Sequence, residues 1–213
     1  MTGRAHWAIG ACADVPVAMV AGAPLALFLC GASGAIGGLL PDIDHPGSVL
    51  GRLVPWPSVT RTDEQTGFVA HGRRWFGGYI VWHRGEIHSV GAAGIAFLAT
   101  ILGLWWPVLR FEGWAQRRGY MPTHSIAAAP GLIAGAFAAW MGAAAFLGYL
   151  SHLAADLVNV SPQMLWWPFS RRMVHIPGWH GVAERSHAER WAERFAVWGA
   201  MLAAWAMWAP RPW

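Results

Sequence analysis

The chain has 213 residues, 55% of them apolar and only 12% charged, about half the charged share usual in a soluble domain. Its 15 basic residues are all Arg and face 11 acids; a net charge of +4 with no basic run gives direct nucleic-acid binding no support. An ordinary soluble globule is excluded, and the 16 Trp, many at the ends of apolar runs, are placed like the aromatic belts of membrane proteins.

Four charge-poor runs set the architecture: Val15–Pro41, Ser89–Leu109, Ser125–Ala155 and Phe195–Pro210. Runs near 20 residues match a bilayer core of about 30 Å at a rise of 1.5 Å per residue. The expected fold is therefore all-α, a single polytopic domain over residues 1–213 with about four to five membrane helices. No cleavable signal peptide is expected, because the first apolar run lacks a basic leader and continues past signal length. Cys12 and Cys30 lie in apolar surroundings without zinc-finger spacing and read as small buried hydrophobes.

The N-terminus admits two forms. One is a single span after a short interfacial helix; the other is a helical hairpin, His6 to about Val20 and Leu25 to Leu40, turning at "AGAP". Asp14 and Pro16 count against a clean first span. Gly31, Ala32, Gly34, Gly37 and Gly38 would let the second helix approach its neighbours closely. Beyond it, residues 42–88 and 156–194 are polar and punctuated by Pro and Gly, with "AERSHAERWAERF" (183–195) helical in character. Either form puts these two segments on one face of the membrane. They hold ten Arg, against Arg110, Arg117 and Arg118 in the opposite loop and Arg211 in the tail, so the positive-inside rule assigns them to the cytoplasm.

Chemistry gathers in three places. "LLPDIDHPG" ends the first oily region with Asp42, Asp44 and His45; "HRGEIHS" carries His83, Arg84 and His88; "GYLSHLAADLVN" sets His152 and Asp156 at i,i+4 on one helix face. Alone, the first can be a helix-stopping turn and the last a structural hydrogen bond. All three fall on the same membrane face, and ionisable groups in apolar helices need partners. Imidazole and carboxylate are the donors expected for zinc or a related divalent ion. His124 and His187 read as interfacial and solvated, while His71, His175 and His180 have weak claims.

The ordered set "GRAHWAIG", "LLPDIDHP", "HRGEIHS", "GYLSHLAADL" and "LWWPF" resembles the YdjM family, described as LexA-binding, inner-membrane-associated metal-dependent hydrolases. A looser similarity runs to zinc-dependent phospholipase C enzymes. The family resemblance implies metal-site roles for His6, Asp42, Asp44, His83, His88, His152 and Asp156, and a bacterial inner-membrane location. His6 can join that set only if the N-terminus is a hairpin. Ile87 departs from the Thr usual in the family, removing one hydroxyl.

The expected function is a membrane-bound, metal-dependent hydrolase with one or two divalent ions, zinc foremost. Asp44, His83 and Arg84 are the catalytic candidates; Arg171 and Arg172 are further anion binders. The expected partners are membrane lipids and a phosphoester or phospholipid-type substrate. The alternatives are a metal or proton transporter, whose ligands should spread across the bilayer's depth, and a metal-stabilised adaptor, for which no protein-binding motif is visible.

Overall fold

The computed structural model describes residues 3–13, 15, 17, 24–45, 47–55, 57–62, 69–74, 80–120, 132–158, 162–176, 191, 194, 195 and 197–199. Four main helices organise them: α1 (Gly3–Ala13), α2 (Pro24–Leu39), α3 (Val90–Arg117) and α4 (Leu132–Leu157). A five-residue 3-10 turn, Leu40–Asp44, continues directly from α2. The N-terminal turn, most of 183–195 and of the last apolar run, and His124, His180 and His187 lie outside the described residues.

Glycine decides the packing. A Cβ on Gly10 would lie 2.6 Å from the Gly34 carbonyl oxygen, and one on Gly38 would lie 2.6 Å from that of His6. These paired positions run in opposite directions, so α1 and α2 form an antiparallel pair, as the hairpin requires. On its other side α2 meets α4 just as closely: a Cβ on Gly37 would stand 2.1 Å from the Ala145 carbonyl oxygen, and one on Gly148 2.0 Å from that of Gly34. Only hydrogen fits at such separations, which bring backbones into van der Waals contact without bulky side chains. Gly31 and Ala32 take no part: a Cβ on Gly31 would meet nothing within 4 Å, and Ala32 is exposed.

Two helices are long and apolar enough to cross a membrane, α3 over Val90–Arg117 and α4 over Ala134–Leu157. They pack antiparallel, with Ala93 against Tyr149 and Leu153, and Phe97 and Ile101 over Gly142. Ser89 caps α3, its Oγ accepting the Ala92 N–H at 3.1 Å, which fixes where the span begins. At the other end Arg110 and Arg118 lie over the rings of Trp106 and Trp114, a charged aromatic rim. α1, with 11 residues, is too short to span alone, so the described residues establish a helical membrane protein without fixing the number of spans.

The all-α expectation needs one correction. Residues 58–82 hold a three-stranded antiparallel sheet in the order β1 (Ser58–Thr62), β2 (Val69–Arg74), β3 (Ile80–Trp82), with Thr60 opposite His71 and Gly72 opposite Trp82. Its short strands contain Val59, Thr60, Thr62, Ile80 and Val81, the β-branched residues that suit extended backbone. Strand β3 ends one residue before His83, so the sheet delivers the "HRGEIHS" turn to the bundle.

Candidate metal centre

The alternating helix directions bring four ends together: the start of α1, the end of α2, the start of α3 and the end of α4. Each end contributes chemistry, His6 from the first, Asp42 and Asp44 from the turn after α2, His88 just before α3, and His152 with Asp156 from the last turns of α4. His6, Asp44, His88, His152 and Asp156 are all buried, at 0–2% exposure. Two groups of donors can each surround an ion: His6, His152 and Asp156, and Asp42, His83 and His88.

Donors of the two groups also face one another. His88 Nε2 lies 3.7 Å from Asp42 Oδ1 and 3.6 Å from Asp156 Oδ2; His152 Nε2 lies 3.7 Å and 3.5 Å from the same two oxygens. Both Nε2 atoms are buried with no hydrogen-bond partner among the described residues. A tetrahedral ion with bonds of about 2.0–2.2 Å holds its ligands roughly 3.3–3.6 Å apart. These four separations are long for hydrogen bonds and close to those between ligands of one cation.

The surroundings set the ring tautomers. His152 Nδ1 donates to the Gly38 carbonyl at 2.7 Å, so its Nε2 carries the lone pair and faces the carboxylates. Asp44 accepts from His83 Nδ1 at 2.9 Å through Oδ1. Its other oxygen, buried and without a hydrogen bond, faces His88 Nδ1 at 3.9 Å. The Arg84 N–H also reaches His88 Nδ1, at 3.3 Å, a long contact. Here His88 Nδ1 accepts, which leaves the proton on Nε2; offering Nε2 to a metal would require the proton to move to Nδ1, which Asp44 Oδ2 faces. Asp44 therefore orients His83 and faces His88.

Asp156 works in both directions. Its Oδ1 is 3.5 Å from His6 Nε2 and 3.8 Å from the Arg84 guanidinium, while Oδ2 faces His88 and His152. His6 also stacks on His152, ring centroids 3.7 Å apart. Arg84 holds a left-handed backbone, φ 65°, unusual for a bulky residue. That conformation is pinned by Met164 N–H donating to the Arg84 carbonyl at 2.9 Å.

Electrostatics outside the spans agree with this arrangement. Burial works to raise the Asp42 carboxyl, but His88 beside it and the nearby His152, His6 and His83 hold it well below the ordinary carboxylate range. Burial is the largest influence on His88 and lowers it despite Asp42 and Asp44, leaving the ring neutral and able to ligate.

All seven sequence-derived metal candidates meet here, with Arg84 beside them. His45 stands at the edge, its ring 4.8 Å from that of His83 and its Nδ1 accepting from Gly47 N–H. Arg171, Arg172 and His175 are exposed. Two positioning groups escaped the sequence reading. Tyr149 Oη donates to the Ile87 carbonyl beside His88, and buried Gln163 Nε2 donates to the Leu153 carbonyl at 2.8 Å. A tyrosine and a glutamine in or beside an apolar helix were the available signals.

The fold and site define a helical membrane protein with a buried His/Asp cluster able to hold a metal at one end of its bundle. The family model described as YdjM inner membrane protein matches residues 1–211, and the chain belongs to that family. It is 34% identical over 130 residues to the inner membrane protein YdjM of Escherichia coli (strain K12) and to the protein of that name in Shigella flexneri. Each match covers 61% of this chain and 44% of the relative, so the chain spans less than half the length of these relatives. No solved structure matches.

Proposed function

We propose that the chain is a membrane-bound, metal-dependent hydrolase that acts at the cytoplasmic face of the inner membrane on a phosphoester, most naturally one carried by a lipid. The observation that carries this reading is the pair His88 Nε2 and His152 Nε2, buried without a hydrogen-bond partner among the described residues and each 3.5–3.7 Å from Asp42 and Asp156. A divalent ion, zinc foremost for such donors, lowers the pKa of a bound water toward neutrality and polarises the scissile group.

The chain's own residues divide the remaining work. His88, His152, Asp42 and Asp156 hold the ion. His83, whose side chain is 19% exposed against 0–2% for His6, His88 and His152, is the imidazole open to substrate, and Asp44 holds its proton inward at Nδ1. His83 Nε2 is then free to take or give a proton. The Arg84 guanidinium, 18% exposed beside Asp156, is the cation placed to meet an anionic oxygen. A second ion would draw on His6 beside Asp156 Oδ1. The cytoplasmic assignment rests on the arginine distribution.

A transporter is the weaker reading, because the described donors gather at one end of the bundle instead of descending through it. The test is elemental analysis of the purified chain followed by a phosphoester and phospholipid screen in nanodiscs. One or two equivalents of divalent metal and chelator-sensitive cleavage are expected. Metal-free wild type defeats the centre; metal without turnover of any phosphoester defeats the hydrolase and leaves a structural metal.

A further inference from the structure

Two loops rise from the metal end of the bundle, each tied by backbone to a residue of the centre. Residues 45–53 start at Asp42, whose carbonyl accepts from His45 N–H at 3.0 Å and from Ser48 Oγ at 2.6 Å. Residues 162–176 join at Arg84 through Met164, and at the first turn of α3, where the carbonyls of Leu165 and Trp167 accept from Val90 and Gly91 N–H at 2.9 and 3.1 Å. The fit at Gly91 is close: a Cβ there would stand 2.3 Å from the Trp167 carbonyl oxygen.

Both loops expose large apolar side chains, Leu53 at 77% and Val49 at 58% in the first, Phe169 at 94% and Trp166 at 52% in the second. Exposed arginines stand beside them, Arg52 in one and Arg171 with Arg172 in the other, and neither loop contains an acid. Residues 45–53 rise from Asp42 at the same end of the bundle, and the attachment to Val90 and Gly91 sets the depth of residues 162–176. It is the level at which α3 enters the apolar layer, one turn before its outward-facing Ile95 and Leu98. Apolar tips at that depth meet the acyl boundary, and arginines beside them meet phosphate.

We propose that these two loops are membrane-inserting fingers that bind an anionic phospholipid headgroup at the rim of the metal centre. Leu53 and Phe169 enter the acyl boundary, while Arg52, Arg171 and Arg172 take the phosphate. The fingers would hold a lipid within reach of Arg84, so their purpose rests on the proposed lipid-borne substrate; lipid selection itself is measurable on chelator-stripped protein and stands apart from turnover.

The test uses the full chain in phosphatidylcholine vesicles with trace spin-labelled phosphatidylglycerol or phosphatidylcholine, reading the motionally restricted fraction by electron paramagnetic resonance. Wild type should select phosphatidylglycerol. The double variant Arg171→Gln, Arg172→Gln should weaken that selection by about fivefold for each arginine removed, with metal content unchanged. Arg61→Gln, on the exposed strand β1, should leave selection at the wild-type level. Selection that survives the double variant, or that falls equally in Arg61→Gln, overturns the proposal. Photocrosslinking from p-benzoylphenylalanine at position 169 should yield a lipid adduct; an adduct to a second copy, or none, overturns the insertion.

Discussion

Helices α3 and α4 are both long, apolar and able to cross a bilayer, yet they do different work. In the most apolar stretch of α3 only 6% of the residues are buried, against 44% in that of α4. The outer face of α3 is bulky, with Ile95, Leu98, Leu102 and Trp106 exposed. The α4 interface is small, with Ala134, Ala138, Ala144 and Ala145 buried and Gly148 against α2. Hydropathy alone does not separate them; side-chain volume does. Lipid accommodates any shape, whereas a neighbouring helix bearing functional groups demands a close approach. The candidate metal donors follow the same division: His152 and Asp156 sit on the helix that packs.

The sharpest way to break this contrast is to change side-chain volume at one residue on each helix. Gly148→Leu forces a side chain into the Gly34 backbone and should cost about 3 kcal/mol or more, seen as loss of folded monomer and of metal together. Leu102→Ala on the outer face of α3 should move the thermal midpoint within about 0.5 kcal/mol of wild type. Similar effects from both would end the distinction between a packing helix and a lipid-facing one.

A second test separates chemistry from packing within α4. His152→Ala should remove the metal by elemental analysis while the helical circular dichroism persists, since His152 meets α2 through one hydrogen bond to Gly38. A smaller effect is expected at the turn that precedes α3. Arg84→Gly should be more stable than Arg84→Ala by roughly 1 kcal/mol, because only glycine adopts the left-handed backbone without strain. Both variants should lose substrate binding and keep the metal. The smallest change is Tyr149→Phe, which deletes the hydrogen bond to Ile87 and should cost about 1 kcal/mol or less, with weakened metal retention as its specific readout.

Much of the site was legible because ionisable residues are conspicuous in an apolar chain. Three motifs on one membrane face predicted their own meeting, and His6 entered through the hairpin that the α1–α2 pairing bears out. The roles of the two aspartates were not legible. They are two residues apart in "PDID", and only the tight 3-10 turn sends Asp42 toward His88 and His152 while turning Asp44 to His83. The sheet was missed because its strands are short and interrupted by polar residues, so their alternation is weak against the surrounding Gly and Pro. Arg84 stood out as a charge near histidines, but its left-handed backbone depends on the distant Met164 and has no local signature.

The bond from His152 to the Gly38 carbonyl couples two events usually treated apart. One helix sets the protonation pattern of a ligand carried by another, so the ligand set is complete only in the assembled bundle. On the proposed metal-binding reading, ion uptake would be a late checkpoint of biogenesis, because an undocked chain offers only scattered weak donors. On that reading the chain would be inserted in the membrane before its metal arrives.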